Sequence, residues 1–125
     1  MKTSTLLVPL LASIALAACS RKPPVPTSSG SWQARLDAAV AITHSNTRDD
    51  ALAALAKAAA EAKEGRVANE AVGRMTFTGA KDEAAEKAAV ILARRGETQA
   101  ARDLAQKITF TEARDRTLQA IASGK

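Results

Sequence analysis

A repeat of 33 residues is the feature that most constrains how this chain of 125 residues folds. Three segments match in residue type at most positions, and each lies 33 residues after the one before it: 43–49, 76–82 and 109–115. A period of about 20 to 50 residues is typical of stacked helical pairs, because each pair buries its apolar face only against its neighbours. The repeat therefore predicts a stack of helices.

Residue composition predicts the same class of fold. Beyond Pro26 there is no proline, and alanine, leucine, arginine, lysine and glutamate dominate, which are the strongest helix formers. Apolar residues recur at helical spacing, and the alternation typical of a strand does not appear. We expect an all-α domain over 32–125, either a short α-solenoid or a compact stack. Its six helices are predicted near 32–43, 46–63, 66–75, 79–94, 98–108 and 112–123.

The polar residues of the repeat have a local explanation. A hydroxyl residue recurs where a helix is expected to begin, and we predict that its side chain caps a free backbone N–H: Ser45, Thr78 and Thr111. An aspartate recurs four residues later, where a negative charge in the first turn meets the positive end of the helix dipole: Asp49, Asp82 and Asp115. The residue before each aspartate is basic, so stacked units are expected to form a ladder of opposite charges. A row of ligand-binding side chains is the alternative.

Small residues in the second unit resemble those of the tetratricopeptide repeat. Ala89, Gly96 and Ala101 stand at the spacing at which that family has small side chains that let paired helices pack closely. The similarity to this helix-turn-helix class extends over 32–123. It implies a right-handed α-solenoid or a compact α-α stack that binds other proteins.

The amino-terminal segment has the order of an export signal. Lys2 provides the positive start, and the stretch 6–18 is apolar and ends in small residues. One tetrapeptide closely resembles the lipobox of bacterial lipoproteins: Leu16-Ala17-Ala18-Cys19. The resemblance implies that 1–18 are removed as a signal peptide, and that Cys19 carries a diacylglyceryl group and an acylated amino terminus.

The residues after Cys19 predict where the domain is held. In lipoproteins of two-membrane bacteria, an aspartate after the lipidated cysteine commonly favours the inner membrane, and Ser20 stands there instead. We therefore expect the outer membrane, with the domain facing the periplasm; in a one-membrane host this becomes the outer face of the cytoplasmic membrane. The segment 19–31 is rich in proline, serine and glycine, which is typical of a tether.

Charge and residue usage exclude several classes of function. From Ser31 onward the chain has 15 basic and 13 acidic residues, so it lacks the basic stripe of a nucleic-acid-binding domain. His44 is the only histidine and Cys19 the only cysteine. A zinc site takes several such ligands, and a nucleophilic triad needs a base beside its nucleophile. We expect no enzymatic activity, no metal and no cofactor.

The aromatic residues are few. Phe77 and Phe110 recur at the repeat period and are predicted to pack between units, while His44 takes the same position in the first copy. Trp32 opens the first helix, where it either covers the end of the stack or rests at the membrane interface.

The last helix has no expected partner. By the order of the repeat, the domain begins with a helix of the second type and finishes with one of the first type. Leu118 and Ile121 are therefore expected to contact a partner protein or a second copy, unless the six helices close into a bundle.

Together these features predict a lipoprotein, anchored to a membrane through Cys19, whose domain serves as a protein-interaction or scaffold module in a bacterial envelope assembly. Its partner is expected to be an envelope protein or a second copy. The alternative is a membrane-active or lipid-binding protein whose amphipathic helices open on the bilayer, since alanine contributes little apolar area to a core.

Overall fold

The computed structural model describes residues 28–124, which form six α-helices and no strand. The helices are α1 (Ser28–Val40), α2 (Ser45–Glu61), α3 (Gly65–Gly73), α4 (Thr78–Arg94), α5 (Thr98–Gln106) and α6 (Thr111–Ser123). The prediction of an all-α fold with six helices is confirmed. The predicted signal peptide, Cys19 and most of the tether lie outside the described residues. The last part of the predicted tether, 28–31, belongs to α1.

Long and short helices alternate in a compact stack. The long helices α2 and α4 pack against each other, and each also packs against the short helix that follows it. At one end of this series α1 contacts only α2 and α3, and at the other end α6 contacts only α4 and α5. Because α1 and α6 do not touch, the described residues do not form the closed bundle considered from the sequence. None of the six helices is both long and apolar enough to cross a bilayer.

Alanine supplies more than half of the buried apolar residues in the described part of the chain. In α4 the apolar residues along one face are all buried: Ala84, Ala85, Ala88, Ala89 and Leu92. Small side chains on facing helices let the helix axes approach closely, and the larger Leu52, Leu104 and Ile108 fill the space between them. The core is therefore held by close backbone packing more than by large side chains.

The long helices end in the same geometry at equivalent positions. After α2, Lys63 has a φ of 63°, and after α4, Gly96 has a φ of 87°. At both helix ends, the N–H of the residue that follows donates to a carbonyl five residues earlier. Glu64 donates to Ala59 at 2.8 Å and Glu97 donates to Leu92 at 2.9 Å. This hydrogen bond is typical of a helix that ends in a residue with left-handed backbone conformation.

A glycine close to a helix end commonly stops the helix, but Gly65 has a different role. Gly65 is the first residue of α3 and is buried, with no positive φ. A Cβ atom at this position would collide with the Cβ of Ala100 in α5. Gly65 is therefore needed for the close contact between α3 and α5.

The structure corrects the prediction of hydroxyl caps. Ser45, Thr78 and Thr111 are the first residues inside their helices, so the N-cap positions belong to His44, Phe77 and Phe110. These three residues have extended backbones and make no side-chain cap. The free N–H groups just before α4 and α6 are satisfied in another way, by an aspartate of the preceding long helix.

Candidate interaction surface

Two buried aspartates join consecutive long helices. The carboxylate of Asp49 in α2 accepts hydrogen bonds from the backbone N–H of Thr76, at 2.9 and 3.0 Å to its two oxygens, and of Phe77 at 2.8 Å. Asp82 in α4 accepts the equivalent bonds from Thr109, at 2.9 and 3.0 Å, and Phe110 at 3.0 Å. Both side chains are almost fully buried. We call each set an aspartate latch.

The latches explain why the aspartates recur, and the explanation differs from the one predicted. Asp49 and Asp82 lie one turn inside their own helices, and neither helix has an acidic residue in its first turn. Their charge therefore acts on the start of the next long helix, where N–H groups point out of the helix end. A carboxylate bound by backbone N–H groups makes strong hydrogen bonds because its charge is met by aligned dipoles.

The basic residues beside the aspartates do not form the predicted charge ladder. Arg48 donates to the hydroxyl of Thr76 at 2.9 Å, to Ser45 Oγ at 3.4 Å and to the Ile42 carbonyl at 3.4 Å. Neither Asp49 nor Asp82 belongs to an ion pair within residues 28–124. Arg48 therefore reinforces the latch by binding a hydroxyl rather than the carboxylate.

Ion pairs lie elsewhere on the surface. Arg116 of α6 contacts Glu86 of α4 through two hydrogen bonds of 3.1 and 3.2 Å, and these bonds raise the pKa of the guanidinium. On α4, Lys87 and Glu83 form an ion pair at 2.6 Å, and the hydrogen bond from Lys87 lowers the pKa of the Glu83 carboxyl. Both pairs are exposed enough for salt to weaken them.

The side chains of the two phenylalanines are exposed to solvent and do not pack between the units. Phe77 is 46% exposed and Phe110 60% exposed, so the prediction that they pack between units is wrong. Each stands immediately before a long helix, and the latch binds its own backbone N–H. The latches therefore hold two exposed aromatic rings at equivalent points of the stack. His44, at the same position of the first copy, is also exposed.

At the α6 end of the stack, no described helix packs against α6 as α3 packs against α2. Asp115 is exposed, and no described residue donates to it as Thr76 donates to Asp49. Leu118 and Ile121 are half-buried, whereas Leu52 and Leu55 at the same positions of α2 are buried. The two residues of α6 line a cleft of about 370 Å³ with Thr98, Arg102 and Ala122.

At the α1 end there is a second cleft. It has a volume of about 430 Å³ and is lined mainly by apolar residues of α1 and α2: Arg35, Ala38, Ala39, Ile42, Ala51, Ala54 and Leu55. Ala38 is exposed, although Ala71 and Leu104 at the same position of the repeat are fully buried. Ile42 is half-buried, although Ile108 at its position is buried.

No three histidine, cysteine or carboxylate residues lie close enough to hold a metal ion within residues 28–124. Lys107 extends from the end of α5 to the carbonyl of Asn69 at 2.9 Å. Partial burial lowers the pKa of its ammonium, and the neighbouring charge of Lys81 lowers it further.

Comparison of the chain with protein-family models, with curated protein sequences and with solved structures gives no significant match in any of the three.

Two features of the surface escaped the sequence prediction. The latch has a signal in the sequence, since each aspartate precedes a Thr-Phe pair by 27 and 28 residues. The position of each aspartate near the start of a helix offered a simpler explanation, which is an interaction with the dipole of that helix. The exposure of Phe77 and Phe110 has no such signal. An aromatic residue at a repeat period occurs both in cores and on display surfaces, and only the path of the backbone separates the two.

Proposed function

We propose that this protein is a bacterial lipoprotein, anchored to a membrane through Cys19, whose helical stack serves as a protein-interaction or scaffold module in an envelope assembly. The supporting observation is the pair of exposed rings, Phe77 and Phe110, on backbone fixed by the latches. Because the backbone that bears the two rings is already fixed, binding costs little further backbone entropy, and aromatics are enriched in protein interfaces. The lipobox-like Leu16-Ala17-Ala18-Cys19 supports the anchor.

The anchor and the interaction surface are tested separately. Replacing Cys19 with serine removes the thiol that the lipid needs, so the Cys19→Ser variant is expected to leave the membrane fraction. Retention of this variant with membranes, at the level of the unaltered chain, would show that lipid on Cys19 is not the anchor. In a two-membrane host, density separation of the membranes tests the expectation of the outer one.

The interaction surface is tested by capture of partners from cross-linked envelopes. A Phe77→Ser/Phe110→Ser variant is expected to lose the proteins captured by the unaltered chain, because the two rings are removed while the buried core is untouched. The matched control is Lys57→Ser/Glu61→Ser, which changes two exposed residues of α2 and keeps the net charge. Equal capture by both variants would contradict a role for the phenylalanines, and no reproducible capture by any of them would contradict the scaffold.

A membrane-active protein is the second candidate, and the same two rings favour it. Exposed aromatics beside basic residues such as Lys81 and Arg114 also suit the interface of a bilayer with anionic head groups. Circular dichroism of the protein during heating separates the candidates. A cooperative transition that vesicles do not change supports the scaffold, whereas helicity that appears only with vesicles supports the membrane-active protein.

A further inference from the structure

We propose that the protein associates head to tail with a second copy of itself, so that α6 of one copy packs against α1 and α2 of the next. The inference rests on the proposed function as an interaction module, and it names the partner. Its basis is that, among the described residues, the α6 end has an aspartate without a donor and an apolar cleft, while the α1 end has two N–H groups without an acceptor and a second apolar cleft.

The hydrogen-bonding groups at the two ends match. Asp115 is the third latch aspartate and has no backbone donor among the described residues. Thr43 and His44 occupy the positions of the latched Thr76 and Phe77, and their N–H groups have no acceptor within 28–124. Asp115 of one copy and these two N–H groups of another therefore supply the parts of one latch.

The chain itself offers no carboxylate for Thr43 and His44 at the expected position. Each latch spans 27 residues from the aspartate to the first donor, and the residue 27 positions before Thr43 is Leu16. Leucine has no acceptor in its side chain. Asp115 of a second copy has the matching position in the repeat and supplies such a carboxylate.

The apolar surfaces at the two ends match as well. On α6, Leu118 and Ile121 line one cleft, and among the described residues no short helix follows α6 and packs against it as α3 does against α2. On α1, Ala38 and Ile42 line the other cleft, and among the described residues no long helix precedes α1 and packs against it as α2 does against α3. Since α1 holds the position of a short helix and α6 that of a long one, α6 followed by α1 of a second copy repeats the order of α2 and α3.

Two side chains make this junction looser than the internal contacts. Arg35 stands at the position of the buried Ala68 and Ala101, and its guanidinium lies 4.5 Å from the centre of the Trp32 ring. Thr98 stands at the position of Gly65, whose lack of a Cβ permits the close contact with Ala100. Contact between α5 and the neighbouring α1 is therefore expected to be wider, and the latch and the two apolar clefts supply the attraction.

The geometry of the contact determines the form of the assembly. A head-to-tail contact uses a different surface on each partner, so it leaves one free surface at each end of a dimer. Such contacts build open chains or closed rings rather than stopping at a dimer. This outcome distinguishes the proposal from a two-fold dimer of α6 with α6.

Disulfide cross-linking of the full chain tests the proposal. A Gln119→Cys/Asp50→Cys chain, which leaves Asp115 in place, is expressed from its own start, oxidised in intact cells and run on a non-reducing gel. Gln119 stands at the repeat position of Glu86 and Asp50 at that of Arg116, and Glu86 and Arg116 are in contact between α4 and α6. Gln119 and Asp50 are exposed, so the substitutions leave the core intact. We expect a ladder of oligomers that reductant removes. Each single-cysteine chain retains Cys19 and so controls for disulfides through that residue. Two single-cysteine chains with different tags, expressed together, are expected to give the mixed dimer and no larger species.

A blocking substitution confirms that the cross-link reports the proposed surface. Ala38→Arg in the cysteine pair is expected to abolish the ladder, because the arginine fills the α1 cleft. The control, Ala62→Arg, alters an exposed residue that lines neither cleft and is expected to leave the ladder unchanged.

Three outcomes overturn the inference: no ladder beyond that of the single-cysteine chains, a ladder that Ala38→Arg does not affect, or dimers from Gln119→Cys alone that exceed those of Asp50→Cys. The last would indicate a two-fold contact of α6. These results are independent of the tests of the proposed function. Capture of an envelope protein that depends on the phenylalanines leaves that function in place even when the head-to-tail contact fails.

Discussion

At the scale of single residues, this protein uses the same amino acid for different purposes at equivalent positions. Asp49 and Asp82 are buried and hold the start of the next long helix, while Asp115 is exposed and lacks that partner among the described residues. A buried carboxylate with three hydrogen bonds contributes to stability, because its removal leaves backbone N–H groups without an acceptor. Asp115 therefore serves as a control for substitutions of the two buried aspartates.

We predict that Asp82→Ala lowers the free energy of unfolding by about 2 to 4 kcal/mol, since it removes the acceptor for Thr109 and Phe110. Asp115→Ala is expected to change it by no more than about 0.5 kcal/mol. Urea denaturation at low protein concentration measures both. Similar, small effects from the two substitutions would mean that the latch adds nothing to stability.

At the scale of the helices, the stack depends on how each element ends and how closely it approaches its neighbour. The left-handed residue after α4 is Gly96, and its counterpart after α2 is Lys63. Glycine adopts a positive φ freely, whereas a side chain makes this conformation unfavourable. At the start of α3, by contrast, glycine is needed for space: Gly65 touches α5 at Ala100.

Lys63→Gly is expected to raise the free energy of unfolding by about 1 kcal/mol, since it removes the strain of a left-handed side chain. The reverse change, Gly96→Lys, is expected to lower it by a similar amount. Thermal unfolding of the two variants provides the measurement. A loss of stability in Lys63→Gly would indicate that the lysine side chain makes a contact that outweighs the strain.

Gly65→Ala is expected to lower the free energy of unfolding by about 1 to 3 kcal/mol through overpacking against Ala100, even though alanine favours helices. Gly79→Ala, where no atom lies within 4 Å of the added methyl group, is the control and is expected to be neutral or slightly stabilising. Adding Ala100→Gly to Gly65→Ala should recover part of the loss. If Ala100→Gly recovers no stability, the loss caused by Gly65→Ala does not arise from the contact between α3 and α5.

At the scale of the whole molecule, the stack is best supported in its middle and least supported at its ends. The helices α2 to α5 have neighbours along both directions of the stack, whereas α1 and α6 have neighbours in one direction only. Regions with fewer buried contacts open with a smaller free energy than the core does. The same uncovered ends form the surfaces of the proposed self-association.

Hydrogen exchange is therefore expected to show the slowest amides in α2 and α4 and faster exchange in α6. If copies associate head to tail, protection of α6 should increase as the protein concentration rises, while that of α4 stays constant. Mass spectrometry of peptides from the two helices makes the comparison. Uniform protection along the stack would contradict the unequal support seen in the contacts.

Much of the fold follows from the sequence alone. Helix-forming residues, apolar spacing and the repeat predicted six helices with boundaries close to those observed, because helix formation depends mainly on interactions within a few residues. The repeat positions of the aspartates and the incomplete pairing of α6 were also visible in the sequence.

Only the tertiary structure decided what the repeated residues do. Asp49 binds Thr76 and Phe77 across 27 and 28 residues, and a local interpretation placed its charge on its own helix instead. The exposure of Phe77, the close approach at Gly65 and the left-handed Lys63 likewise depend on how two helices meet in space. Local patterns determine which segments become helices, whereas the partner of each polar group depends on distances between segments far apart in the chain.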